Sequence, residues 1–194
     1  TLVDLDPAMT ALFRTHPLLK GLNAGALSNP KVRVVNSDAF PWLERDEGIY
    51  DFVVADFPDP NNYSLGKLYT TAFYRLLKRH LSAQAVVVVQ STSPMFARQS
   101  FWCIHETMKR AGFRTYPYHA YVPSFGEWGF VLGAAGTWSP PQRLPEGLKF
   151  LTAANLPGLF EFPPDMAPVQ AEPNRLNDQV LVRYYDREWR EIVR

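Results

Sequence analysis

Tyr50-Asp51-Phe52-Val53-Val54-Ala55-Asp56-Phe57-Pro58-Asp59-Pro60 is an apolar run that stops at two aspartates set between prolines. Phe52 to Ala55 would be apolar on both faces, the pattern of a strand buried in the middle of a parallel sheet. Asp56 then falls at the carboxyl end of that strand, where open α/β sheets place their ligands. Pro58 and Pro60 each remove a backbone donor and fix φ, so neither strand nor helix resumes before Leu68, and Asn61 to Lys67 reads as a loop over the strand end. Two carboxylates three residues apart would face a lidded crevice. Taken alone, the segment equally fits two aspartates that cap turns.

Working outward, the upstream sequence gives a strand over Thr1 to Leu5, with Asp6 as helix N-cap and Pro7 as first helical residue. Met9, Leu12, Phe13 and His16 follow at helical spacing up to Pro17. Leu18 to Asn29 reads as a loop, Lys31 to Asn36 as a second strand ending at Ser37-Asp38, and Ala39 to Arg45 as a short helix. Downstream, Tyr69 to His80 is helical with Phe73, Leu76 and Leu77 on one face, and the β-branched run Ala85 to Val89 is a buried strand. Ala97 to Ala111 is a helix facing Phe101, Ile104 and Met108 inward, and Thr115 to Val122 with Trp128 to Leu132 form a closing hairpin. Alternation of strand and helix predicts a doubly wound, mostly parallel sheet covered on both faces, its edge made antiparallel by the hairpin.

Eight of the seventeen prolines fall between Thr137 and Pro173 without sustained periodicity, which predicts an irregular surface extension, with one helix at Glu146 to Asn155. Asn177 to Arg194 reads as a terminal helix or strand pair around Val180, Tyr184 and Trp189. Twenty basic against nineteen acidic residues, with no Lys/Arg run, leave no electrostatic footprint for nucleic acid or an anionic membrane surface. The single cysteine, Cys103, reads as a small core residue, and no apolar run reaches the length of a membrane helix. The chain opens at Thr1 directly in a strand, so the expectation is that a further segment precedes it.

The chemistry is carried by acids at consecutive strand ends: Asp4, Asp38, Asp56 and Asp59. In a doubly wound sheet those ends line one edge, and a polyanionic crevice suits cations or hydroxyl groups; an acid after the second strand is placed to accept from ribose hydroxyls. For Asp4 a second helix cap beside Asp6 is an equal reading. A haloacid-dehalogenase-type phosphatase needs D-x-D-x-[T/V], but Ala8 follows Asp4 and Asp6 in that register. His16, His80, His105 and His119 show no metal-ligand spacing. Group transfer from a nucleoside-bearing donor to a cationic acceptor remains.

Val3-Asp4-Leu5-Asp6, Ser37-Asp38-Ala39, Tyr50-Asp51 with Asp56 to Pro60, Leu68-Tyr69 with Phe73-Tyr74, Gln90-Ser91, and Pro123-Ser124-Phe125-Gly126-Glu127-Trp128-Gly129-Phe130 resemble, in order and spacing, the polyamine aminopropyltransferases of the spermidine synthase family. The resemblance covers Thr1 to Gly133. It implies a Rossmann-like sheet of the methyltransferase type and a domain over residues 1–133 on which a 134–194 extension packs. It implies transfer of an aminopropyl group from decarboxylated S-adenosylmethionine, a co-substrate, to an amine such as putrescine, with no cofactor or metal. Asp4 would bind the donor's ribose and Asp38 its adenine; Asp56 would be the catalytic acid and Asp59 an amine ligand. Tyr63, Tyr69 and Trp128 would line the acceptor's methylene chain and Gln90 would position amine or donor, ordinary packing being the equal alternative for these four.

The departures from the family pattern lie at the start and in the loop. The family's glycine-rich first strand and N-terminal β-domain are not in these residues, so a missing N-terminal segment of the same protein, able to fill the gap left in the sheet, is expected as a partner. Phe57-Pro58 replaces the small residues usual between the two aspartates, which would reshape the amine pocket. The resemblance further implies a cytoplasmic homo-oligomer, or the cytoplasmic domain of a membrane-anchored bacterial protein. A methyltransferase-like enzyme on a small amine and a non-catalytic polyamine- or nucleoside-binding domain stay open beside it.

Overall fold

The computed structural model describes residues 1–192, which fall into two compact units, Thr1–Glu47 and Gly48–Arg194. In the first, β1 (Leu2–Asp4) is followed by α1 (Pro7–Thr15), α2 (Pro17–Leu22), a 3-10 turn (Ala26–Ser28), β2 (Val34–Asn36) and α3 (Ala39–Arg45). β1 and β2 pair in parallel, Leu2 opposite Val34 and Asp4 opposite Asn36. Asp6 caps α1 as the sequence predicts, its Oδ1 accepting from the Ala8 amide at 2.8 Å with Pro7 in the first helical turn. The expected loop after Pro17 instead opens with α2. His16 is extended there, and proline is tolerated in a first turn because its missing donor would have had no partner. The second strand is shorter than expected.

The second unit runs β3 (Tyr50–Ala55), α4 (Tyr63–Gly66), a 3-10 turn (Lys67–Tyr69), α5 (Thr71–Arg79), β4 (Leu81–Gln90), α6 (Arg98–Arg110), β5 (Arg114–Val122), β6 (Gly126–Ala134), a 3-10 turn (Pro157–Phe160) and α7 (Val180–Ile192). Its sheet has the order β3-β4-β6-β5. β3 and β4 are parallel, Val53 opposite Val87, whereas β4–β6 and β5–β6 are antiparallel, so the sheet is mixed and the hairpin closes one edge as expected. Phe73, Leu76 and Leu77 of α5 and Phe101, Ile104 and Met108 of α6 are all buried, as are Val87, Val89 and Val131 of the sheet. These are the faces that the 3.6-residue period predicts.

Three further expectations change in this second unit. β3 is the other edge of this sheet, not a strand buried on both faces: it pairs with β4 on one side only, and Phe52 and Val54 are 62% and 60% exposed. The proline loop holds one helical turn, α4, because Asn62 caps it by accepting from the Leu65 amide at 3.0 Å. No helix forms at 146–155. Gly147 is left-handed, and the Asn155 side chain takes the Thr152 amide and the Phe150 carbonyl as partners, closing local turns that compete with helical hydrogen bonds.

The extension is held down at defined points. Trp102 Nε1 donates to the Met166 carbonyl at 3.0 Å, and Arg98 Nε to the Ala167 carbonyl at 2.7 Å. Asn174 is fully buried: its Nδ2 donates to the Gly66 and Tyr69 carbonyls at 3.0 and 3.2 Å, and its Oδ1 accepts from the Leu181 amide at 3.2 Å. Cys103 is the core residue expected. Burial pushes its thiol up to about 12, against weaker help from Thr107.

Candidate active site

The carboxyl end of β3 delivers Asp56, and the two prolines carry the chain away from the sheet before α4. Phe57 anchors this turn. Its ring meets Tyr69 edge-on at 6.1 Å and Phe73 at 5.6 Å, so the bulky residue expected to reshape an amine pocket packs against two core aromatics. Tyr69 is fully buried beneath the same turn, its hydroxyl 3.1 Å from both the Phe57 and Pro58 carbonyls and 3.3 Å from Gln90 Oε1. Burial, with the Tyr74 hydroxyl and then the Asp59 and Asp56 carboxylates nearby, raises its pKa well above the usual range and keeps it a donor. Its place is under the loop that carries both aspartates.

Asp59 is tied from three directions. Gln90 Nε2 donates to Oδ1 at 2.8 Å; Tyr185 Oη donates to Oδ2 at 2.8 Å, and Thr92 Oγ1 reaches the same oxygen at 3.4 Å. Gln90 and Thr92 sit at and just beyond the end of β4, while Tyr185 comes from α7, 126 residues away in sequence. Thr92 itself has φ of 60°, a left-handed conformation that costs a β-branched residue on the order of 1 to 3 kcal/mol. Its carbonyl accepts from the Gly129 amide at 2.7 Å, and a Cβ at Gly129 would lie 2.8 Å from that oxygen and 2.5 Å from the Phe101 ring. Glycine at 129 is therefore what lets the hairpin approach Thr92. Asp56, by contrast, is exposed and accepts no hydrogen bond from the described residues.

Two adjoining cavities hold the pair. One, of about 280 Å³, is lined by Asp56, Val54, Val88, Gln90, Val122 and Phe130. The other, of about 380 Å³, is lined by Asp59, Phe96, Ser124, Tyr185 and Trp189. Phe125 and Trp128, whose rings are 5.0 Å apart, belong to both walls. The two spaces thus adjoin at the β5–β6 turn, each with one carboxylate among apolar and aromatic surfaces. Such surroundings suit an organic cation whose charge meets an acid and whose chain meets rings.

Of the other expected residues, Trp128 and Gln90 are at these cavities, whereas Tyr63 begins α4 and is 60% exposed. Asp4 and Asp38 lie in the first unit. Asp4 ends β1, its Oδ1 accepting from the Asp6 amide at 2.7 Å; Asp38 caps α3 by accepting from the Phe40 amide at 3.0 Å. Sequence reasoning missed Tyr185, Trp189, Thr92 and Phe96. The aromatic residues at 185 and 189, one helical turn apart, are the signal that could have found the first two.

Residues 1–140 match the family model of the spermine/spermidine synthase domain, and the chain belongs to that family. It is 55% identical, over 193 residues, to a polyamine aminopropyltransferase of Leptospira interrogans serogroup Icterohaemorrhagiae serovar copenhageni, covering all of this chain and 39% of that protein. It is 52% identical to polyamine aminopropyltransferase 2 of Ralstonia nicotianae, again over the whole chain and 38% of the relative. The chain thus spans about two fifths of the length of these relatives. A crystal structure of spermidine synthase from Thermotoga maritima superposes with a TM-score of 0.69 at 18% identity, over 84% of this chain and 56% of that one. A spermidine synthase in complex with the transition state analogue AdoDATO gives 0.61 at 21%, over 70% and 46%. The fold is the Rossmann-like α/β architecture of these enzymes.

Proposed function

We propose that the protein containing this chain transfers the aminopropyl group of decarboxylated S-adenosylmethionine to a linear amine such as putrescine, giving spermidine and methylthioadenosine. The observation that carries this reading is the pairing of a carboxylate that accepts no hydrogen bond from the described residues, Asp56, with a fully tethered one, Asp59, in cavities that share the Phe125–Trp128 wall. A primary alkylamine is protonated at neutral pH, with a pKa of roughly 10.4, and only its free base attacks carbon. Asp56 takes that proton, acting as general base. The amine nitrogen then forms a bond to the donor's terminal propyl carbon as the carbon–sulfur bond breaks, and the sulfonium leaves as a neutral thioether. The donor carries its own activated leaving group, so alignment of nitrogen, carbon and sulfur supplies much of the remaining rate.

In this reading Asp59 anchors an ammonium group, Trp128 lines the methylene chain, Gln90 orients Asp59, and Tyr69 supports the loop from below. Tyr63 meets the acceptor's methylene chain, and Asp4 and Asp38 receive the donor's ribose and adenine. Residues 1–133, inside the 1–140 family match, are the transferase domain in this reading, and 134–194 its packed extension. β3 is proposed to gain a neighbouring strand from another part of the same protein. Support for this comes from its terminal place in the order β3-β4-β6-β5. A cytoplasmic homo-oligomer, membrane-anchored or not, completes the proposal; among the described residues no helix is long and apolar enough to cross a membrane.

The test is to incubate the full-length protein with decarboxylated S-adenosylmethionine and putrescine and to identify products by mass spectrometry. Spermidine and methylthioadenosine in equal amounts are expected. A methylated amine formed from intact S-adenosylmethionine, or nucleoside binding without turnover, would replace this reading with one of the two alternatives.

A further inference from the structure

The helix α7 lies beyond the residues that match the family domain, which end at 140, yet it reaches the site. Its register is fixed independently of the site. Glu188 accepts from the Gln99 and Ser100 amides at 2.6 and 3.1 Å and from Ser100 Oγ at 2.6 Å, capping an α6 N-terminus whose own N-cap, Ala97, offers no side chain. Leu181 is fully buried and its amide is held by Asn174. A Cβ on Gly66 would come within 2.6 Å of Val182, so α4 and α7 meet only because residue 66 is glycine. Leu181, Tyr185 and Glu188 follow at helical spacing along one face, and Trp189 lies one turn beyond Tyr185.

Two side chains of this locked helix enter the Asp59 cavity. The Tyr185 ring and the Trp189 ring are 5.7 Å apart, and both line the cavity that holds Asp59 but not the one that holds Asp56. Burial first, and then the Asp59 charge, raise the Tyr185 pKa well above the usual range, so its hydroxyl is protonated and donates. A carboxylate has about four acceptor positions. Gln90 uses one on Oδ1, and Thr92 and Tyr185 use two on Oδ2, which leaves room on Oδ1 for one further donor. The cavity is therefore built for a single ammonium group at Asp59, with its chain bounded by rings.

We propose that α7 sets which acceptor amines the enzyme accepts: Tyr185 is a positioning residue for Asp59, and Trp189 closes the side of the amine cavity that Asp56 does not share, limiting acceptor length. This rests on the aminopropyl-transfer reading and adds to it specificity residues supplied by the extension. The selected substrates are linear diamines whose length matches the distance from Asp59 to the reacting nitrogen beside Asp56. Longer chains meet the Trp189 ring.

The experiment compares full-length wild type, Tyr185→Phe, Trp189→Ala and Trp189→Phe on diaminopropane, putrescine and diaminopentane, with thermal unfolding confirming that each is folded. Trp189→Ala should raise kcat/KM for diaminopentane relative to putrescine by about tenfold, the usual scale for one methylene in an apolar pocket. Trp189→Phe should keep the wild-type preference. Tyr185→Phe should raise the amine KM by about tenfold through loss of one charge-assisted hydrogen bond, with kcat and the donor KM within about twofold. Calorimetric titration of the same diamines onto the same proteins in the presence of methylthioadenosine separates the two readings. Diamine binding that changes with these variants, in a wild type that forms no spermidine, defeats the transfer reading and supports the role of α7. Unchanged length preference in Trp189→Ala together with unchanged amine KM or affinity in Tyr185→Phe overturns the role of α7, as does a folded wild type that binds none of the diamines.

Discussion

Asp56 and Asp59 are three residues apart, but the regions around them are built in opposite ways. Asp56 ends an edge strand, is exposed, and receives no hydrogen bond from the described residues. Asp59 sits on the following turn beneath a helix from the far end of the chain, its two oxygens held by Gln90, Thr92 and Tyr185. A carboxylate that must gain and lose a proton needs free lone pairs, whereas one that must stay charged and in place is served by fixed donors. The contrast is the ground for the proposed division of labour: base at Asp56, anchor at Asp59.

The sharpest way to break that contrast is Asp56→Asn in the full-length protein. Turnover should fall by at least ~100-fold, the lower scale for losing a general base, with donor affinity measured by calorimetry nearly unchanged. A turnover loss below tenfold would remove the base from Asp56. Next in size is the support of the anchored side. Asn174→Ala leaves two carbonyls and the Leu181 amide without their buried partner. The expected cost is about 2 to 4 kcal/mol, a drop in Tm on the order of 5 to 15 °C in a domain of this size. A calorimetric scan with Tm unchanged would mean that the anchored side does not depend on this hub.

Asp4→Ala extends the comparison to an acid whose Oδ1 already serves a turn. Donor affinity should weaken by about 1 to 3 kcal/mol if the ribose hydroxyls lose their acceptor; unchanged affinity would leave Asp4 as a turn former. The smallest effect at neutral pH is expected at Cys103, which lies in α6 beneath the extension. Its pKa is raised to about 12 from an ordinary 9.0, so the unfolded chain releases the proton first as pH rises. This contribution to stability is complete below about pH 9 and is lost toward pH 12. At pH 8 a thiol reagent should label Cys103 only at the rate of unfolding; rapid labelling of the folded protein would show that the extension does not cover it.

Much of the exposed side of the pair was legible. The apolar run stopping at Asp56, the prolines that lift Asp59 off the sheet, and the hairpin bringing Trp128 to the site all follow from local pattern, and the inward faces of α5 and α6 follow from period. The edge position of β3 was not legible, because pairing is a property of the whole sheet while Phe52 to Ala55 reads as buried by composition alone. The anchored side was legible only in part. Pairing Tyr185 with Asp59 requires knowing that α7 returns over α6, and that return is set by Glu188 on the α6 amides and Asn174 on the α7 amide. These polar groups find partners through tertiary placement, which no local spacing encodes. At 146–155 a sequence with helical composition lost to side-chain bonds made by Asn155.

The most direct test of the division of labour is a steady-state titration of putrescine against Asp56→Asn and Asp59→Asn in the full-length protein, at saturating decarboxylated S-adenosylmethionine. The account predicts that Asp56→Asn lowers kcat with little change in amine KM, and that Asp59→Asn mainly raises amine KM. Equal losses of kcat in both variants, or the reverse assignment of kcat and KM, would contradict it.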